Sequence, residues 1–167
     1  YTQLGYNTAR DRMFETVDDY GGDTIECVYT GRKVYATTRT QAQNQNFNTE
    51  HTWPQSMFNS NEPMLSDLHH LFPTDEVANS TRSNYPFGYA VNNVTWQVGG
   101  SKLGRDASNN IVFEPRDKHK GNVARSMFYF TIRHQNWGSF LTLTQENALR
   151  QFHIADTVDA NERLRND

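Results

Sequence analysis

Ala9, Met13, Phe14 and Val17 recur at helical spacing between Tyr6 and Tyr20, with Arg10, Asp11, Arg12 and Glu15 between them, so the chain opens on a predicted amphipathic helix. Asn7 or Thr8 could cap its start, and Gly21-Gly22 ends it. Ile25 to Tyr29 has the pattern of a strand turning at Thr30-Gly31, and the polar run Thr37–Asn46 is expected to be a loop. Phe47 to Thr52 is expected to be a short extended piece. Pro54, Asn59, Ser60, Asn61 and Pro63 then mark a connecting loop, after which Leu68, Leu71 and Phe72 predict a second apolar strand. Thr74 is the expected N-cap of a helix with Asp75 and Glu76 in its first turn, and that helix must stop before Pro86.

Beyond the Tyr85-Pro86-Phe87-Gly88 turn, Val91 to Val98 alternates as a strand does, and Gly99 to Gly104 is expected to be a hairpin loop, since it lacks the spacing of a phosphate-binding glycine loop. Asn109-Asn110 turns the chain into Ile111-Val112-Phe113. A helix beginning near Lys118 to Asn122 follows, with Val123, Met127 and Phe130 as its buried stripe, Phe128 as a possible addition and Ala124 allowing close approach. Thr144 would cap the last helical region, whose apolar side is Leu149 and Phe152. Strands and helices thus predict an α+β fold in a single domain spanning residues 1–167, a length sufficient for a real core.

Composition narrows the class. A hydrophobic fraction of 35% and a mean hydropathy of −0.84 describe a polar surface, while 13% aromatic residues supply bulky core. No apolar run approaches the roughly 18 residues of a membrane span. Cys27 is the single cysteine, so no internal disulfide can form. The net charge of −3 counts against a partner rich in phosphate, but it is unevenly spread. Residues 1–30 hold six acids against two arginines, whereas residues 114–134 hold five cations against two acids, which makes the latter a candidate backbone-binding patch.

The segments NTEHTWPQS, SDLHHLFPTD and VANSTRSNYPFG, with KGNVAR and Met127-Phe128-Tyr129 later, resemble the bacterial endonuclease I family of secreted and periplasmic nucleases, and the resemblance runs from Tyr6 to Asp167. It implies a ββα-metal (His-Me finger) core at about 47–84 with additional helices. It also implies a metal-dependent, sequence-non-specific endonuclease that leaves 5′-phosphate ends, and export to the periplasm or medium. On the same resemblance Glu50 binds the metal and His51 is the general base; some relatives carry several disulfides, which this chain lacks.

The residue types suit that chemistry. Imidazole titrates near neutral pH, so His51 can take a proton from water. Glu50 would point away from His51 in a regular strand, which predicts a local distortion. Asn79 would add an amide oxygen, and a carboxylate with an amide oxygen is a hard donor set suited to Mg²⁺, with Mn²⁺ or Ca²⁺ as alternatives. Arg82, three residues on, would clamp phosphate, or else pair with Asp75 or Glu76. Arg116 and Lys120 are candidate phosphate contacts with a solvated face as the alternative, and Arg125 either binds phosphate or forms a buried ion pair. His69 and His70 would face opposite sides of a strand and are expected to be structural or supporting. DNA is the expected substrate, with RNA as a second, acted on by a monomer with no membrane partner. Two rival classes remain open: a nucleic-acid-binding module without turnover, and a zinc hydrolase using His51, His69 and His70, although HExxH is absent.

Overall fold

In a computed structural model of the protein, residues 4–135 and 140–166 are described; the domain limits Tyr1 and Asp167 lie outside them. The first helix, α1 (Tyr6–Arg12), continues through a wider π-type turn at Met13–Val17 and buries Ala9, Met13 and Phe14 as the periodicity requires. Gly5 occupies its N-cap with no side-chain bond, so neither Asn7 nor Thr8 caps it. The helix stops at Val17, before Tyr20, because the next residue, Asp18, is buried in an ion pair with Arg165.

Strands β1 (Thr24–Glu26) and β2 (Lys33–Tyr35) pair antiparallel with Ile25 opposite Val34. The predicted strand is cut short at Glu26 because Gly31 N–H bonds back to Cys27 O at 2.9 Å and closes a turn. The polar run after it is not all loop. It contains α2 (Arg39–Gln43), capped by Thr38, whose hydroxyl accepts from Gln41 N–H at 3.3 Å, and anchored by buried Ala42.

Strands β3 (Phe47–His51) and β4 (Leu71–Asp75) pair antiparallel in unbroken register, Phe47 opposite Asp75 through His51 opposite Leu71. Helix α3 (Glu76–Arg82) follows directly and ends before Pro86, as expected. Its N-cap is Asp75, not Thr74, which lies buried within β4. The connection from β3 to β4 folds into three short 3₁₀ turns, Gln55–Met57, Met64–Ser66 and Leu68–His70, so His69 and His70 sit in a turn and not in a strand.

Strands β5 (Asn92–Val98), β6 (Ser101–Arg105) and β7 (Ile111–Glu114) form an antiparallel sheet in that order. Only Gly99 and Gly100 make the turn expected over residues 99–104; both have positive φ, 59° and 97°, and strand pairing resumes at Ser101. Helix α4 (Asp117–Arg133) buries Val123, Ala124, Met127 and Phe130, and α5 (Leu143–Ala155) buries Leu149 and Phe152. Thr142 caps α5 in place of Thr144, accepting from Gln145 N–H at 3.2 Å. The last helix, α6 (Ala160–Asn166), folds back so that Arg165 reaches Asp18 and donates to the carbonyls of Leu68 and Leu71.

The fold is therefore mixed α and β about one core that runs from Ala9 and Met13 through Phe47, Phe58 and Leu71 to Phe130 and Phe152. Among the described residues, no helix is long and apolar enough to cross a membrane. Trp53 lies flat on Phe130, with ring centroids 4.7 Å apart and planes 9° apart, which fixes the chain just after β3.

Candidate active site

Glu50 is 2% exposed and is held from behind: Tyr29 Oη donates to its Oε1 at 2.7 Å, and Arg82 Nε lies 3.2 Å from the same oxygen. The arginine contact is an ion pair and not an aligned hydrogen bond, since Nε has no partner in bonding geometry. Burial pushes the Glu50 carboxyl above its ordinary value, while Arg82 and Tyr29 pull the other way. Both contacts fall on Oε1. Oε2 makes no hydrogen bond and is not sealed from solvent.

His51 ends β3 with its ring among Tyr6, Phe58 and His70, at centroid distances of 5.5, 6.1 and 5.4 Å. Its Nε2 lies 3.1 Å from Leu65 O. A carbonyl only accepts, so Nε2 carries the hydrogen and Nδ1 keeps the lone pair. Burial, helped by His70, holds the imidazolium form down to a pKa of about 3. Nδ1 has no protein partner, and it too is open to solvent.

Asn79 comes from the face of α3 turned toward β3. Its Nδ2 donates to Asn48 Oδ1 at 2.8 Å and to Thr49 O at 3.1 Å, which fixes the amide and leaves Oδ1 free of protein partners. Glu50, His51 and Asn79 line one cleft of about 350 Å³, together with Gln55, Ser56, Ser83 and Asn84. The expected strand distortion is absent, since the β3–β4 register is unbroken through His51. Both side chains reach the cleft because β3 ends at His51, so the pocket wraps around the strand end.

A hard divalent cation fits these donors. The carboxylate and amide oxygens left over, Glu50 Oε2 and Asn79 Oδ1, are of the type such an ion prefers, and each is oriented by bonds at its other atom. A zinc site of imidazoles fits poorly. His51 and His70 each spend Nε2 on a backbone carbonyl, His69 packs at a tilt against Tyr129, and among the described residues no three His, Cys, Asp or Glu side chains gather to hold a metal.

The cations predicted for phosphate lie elsewhere. Arg82 is 1% exposed, with Nη2 donating to Thr52 O and Nη1 to Ser83 O, both at 2.7 Å; its acidic partner is Glu50 rather than Asp75 or Glu76. Buried in this way it offers no open face for a clamp. Arg116 pairs with Glu26 at 2.5 Å. Lys120 is buried and bonds Glu114 and Asp117, each at 2.8 Å, and Arg125 pairs with Glu162. None of the four lines the cleft. The basic segment 114–134 therefore spends much of its charge on internal pairs.

Tyr29 and Leu65 O were invisible in the sequence, since each reaches the site through tertiary approach and carries no local motif. His70 and Ser83-Asn84 lie within segments that the sequence singled out, but the packing of the His70 ring on His51 and the turn made at Ser83 were not read from it. The sequence model described as Endonuclease I matches residues 4–167. An extracellular ribonuclease of Bacillus amyloliquefaciens is 27% identical over 187 aligned positions, covering 100% of this chain and 61% of that protein. That of Bacillus subtilis (strain 168) is 26% identical, covering 100% and 62%. Endonuclease-1 of Buchnera aphidicola subsp. Acyrthosiphon pisum (strain APS) is 31% identical over 93 positions, covering 56% and 34%. The chain spans about three-fifths of the length of the two ribonucleases. With the family match extending from Leu4 to the last residue, the chain belongs to the Endonuclease I family.

Proposed function

We propose that the protein is a metal-dependent endonuclease that hydrolyses phosphodiester bonds in nucleic acid without reading sequence, with β3, β4 and α3 as a ββα-metal unit. The observation that carries this is the meeting of three unspent lone-pair atoms, Glu50 Oε2, His51 Nδ1 and Asn79 Oδ1, in one cleft. Two relatives are named ribonucleases and a third an endonuclease, a name that specifies neither polymer. Because the chemistry needs no 2′-hydroxyl, DNA and RNA are both substrates in this reading.

His51 Nδ1 takes the proton of the attacking water. Leu65 O holds the ring through Nε2–H and stabilises the positive charge that the transfer creates. In the free protein the imidazole is a weak base, and the negative phosphate arriving beside it raises its proton affinity when the reaction requires it. Glu50 and Asn79 would hold Mg²⁺, with Mn²⁺ or Ca²⁺ as alternatives, and a cation bound there neutralises charge on the phosphate and the leaving oxygen. With the 3′ oxygen as the leaving group, taking a proton from solvent as its bond to phosphorus breaks, hydrolysis leaves 5′-phosphate ends. All these groups come from one chain, so the site needs no second copy. An exported setting agrees with the extracellular names of the two ribonucleases.

The test is cleavage of plasmid and of a structured RNA with Mg²⁺, with EDTA, and by His51→Ala and Asn79→Ala. Cutting that stops with EDTA, with each variant at least about 100-fold slower, is expected. Intact substrate after prolonged incubation of wild type with Mg²⁺, or full activity of Asn79→Ala, would defeat the proposal. Asn79→Asp should keep part of the activity, because it retains the oxygen.

A further inference from the structure

Among the described residues no lysine or arginine lines the cleft, yet a phosphodiester must be held there if the proposed function is right. We infer that the backbone N–H of Asn84 is the phosphate-binding donor of this site, aimed at a non-bridging oxygen by the inverted Ser83–Asn84 peptide.

Ser83 adopts φ 51° and ψ −129°, a conformation that glycine enters freely and serine does not. The inversion has a visible cause. The Ser83 carbonyl turns inward and accepts from Nη1 of buried Arg82 at 2.7 Å, and Nη2 of the same guanidinium is tied to Thr52 O. The Ser83–Asn84 bond is trans, so the Asn84 N–H points opposite to that carbonyl, away from the buried arginine. It finds no acceptor: the Asn84 amide hydrogen makes no bond among the described residues. Ser83 and Asn84 are both exposed and both line the cleft with Glu50, His51 and Asn79.

The arrangement carries positive charge to the cleft without exposing a cation. The guanidinium polarises the carbonyl it bonds, and polarising one end of a peptide strengthens the donor at the other. Gln55 and Ser56 offer neutral donors too, on their side chains and on backbone N–H groups that open a 3₁₀ turn and likewise bond no acceptor among the described residues; what singles out the Asn84 N–H is the guanidinium bonded to the carbonyl of its own peptide. The ligand class is an anionic phosphodiester.

The decisive comparison removes the Asn84 N–H; the ester carbonyl left at Ser83 accepts from Arg82 more weakly, and a urea midpoint equal to that of the alanine parent shows that this bond is kept. Asn84→Ala is made as the parent, and the same protein is made by translation with lactic acid at position 84, which turns the amide into an ester lacking the N–H. The ester should cleave DNA and RNA with kcat/KM about 10- to 100-fold below its alanine parent. Equal kcat/KM in the two proteins overturns the inference and leaves the nuclease reading standing, whereas a wild type that cuts nothing defeats both. If the ester protein does not fold, the Asn84 amide proton of wild type in EDTA is followed as thymidylyl-thymidine is added. A saturable downfield shift supports the contact, and an unmoved resonance overturns it.

Discussion

Arg82 shows how a residue can serve a cleft that it does not enter. Its charge is enclosed by Glu50, by two backbone carbonyls and by the ring of Phe87, 4.5 Å below the guanidinium. Removing one member of such a pair strands the other, so Arg82→Met should lower unfolding stability by about 3–5 kcal/mol, measured by urea denaturation. The effect should fall well below 1 kcal/mol if the arginine were instead a surface clamp. Sequence spacing correctly placed Arg82 one turn from Asn79, but it offered only neighbouring acids as partners. The true partner is 32 positions away, a distance that helical periodicity does not reach. Ser83 makes the complementary case. Relief of its backbone strain outweighs the added chain entropy of glycine, so Ser83→Gly should stabilise the fold by about 1 kcal/mol in the same assay, and Ser83→Val should destabilise it.

Among the elements, those with a strong apolar pattern were legible. The β3–β4–α3 succession followed from apolar positions bounded by prolines, and the stripes of α4 and α5 from 3.6-residue recurrence. What stayed hidden had no such pattern. Helix α2 buries a single alanine and depends on its threonine cap, and β6 begins right after two glycines. Thr38→Ala should therefore cost about 1 kcal/mol, seen as a lower urea midpoint with an unchanged slope. Close approach also matters more than sequence can show. A Cβ at Gly121 of α4 would lie 2.0 Å from Asp156 O, just beyond α5, where the Gly121 N–H bonds the Asp156 carboxylate at 2.9 Å. Gly121→Ala must push the chain after α5 away from α4, and a loss of about 1–3 kcal/mol is expected.

At the scale of the whole molecule, the buried imidazoles make stability depend on acid. His51 and His119 are held to pKa values of about 3 and His70 to about 4, burial being the main cause in each. Their folded values lie below the unfolded value near 6.5, so the unfolded chain binds more protons between the two. The stability they contribute is complete above about pH 6.5 and is lost as pH falls toward 4, at about 1.4 kcal/mol per unit for each ring. Buried Asp18 and Glu50, whose carboxyls are raised by burial, oppose this at the acid end. His119→Phe isolates one contribution, since the ring touches Tyr29 and Phe72 edge-on and its Nε2 has no partner to lose. The variant's stability should vary less steeply between pH 6.5 and 4, by about 1.4 kcal/mol per unit.

Among the described residues no ammonium or guanidinium group stands on the walls of the cleft, which also sets how the proposed cleavage should respond to its medium. Binding that rests on neutral donors displaces few of the counterions condensed on a polyanion, so added potassium chloride should slow cleavage only mildly, with a log–log slope shallower than about −2. Brackish or drying surroundings would leave such an enzyme working where one that grips its substrate through many cations would let go.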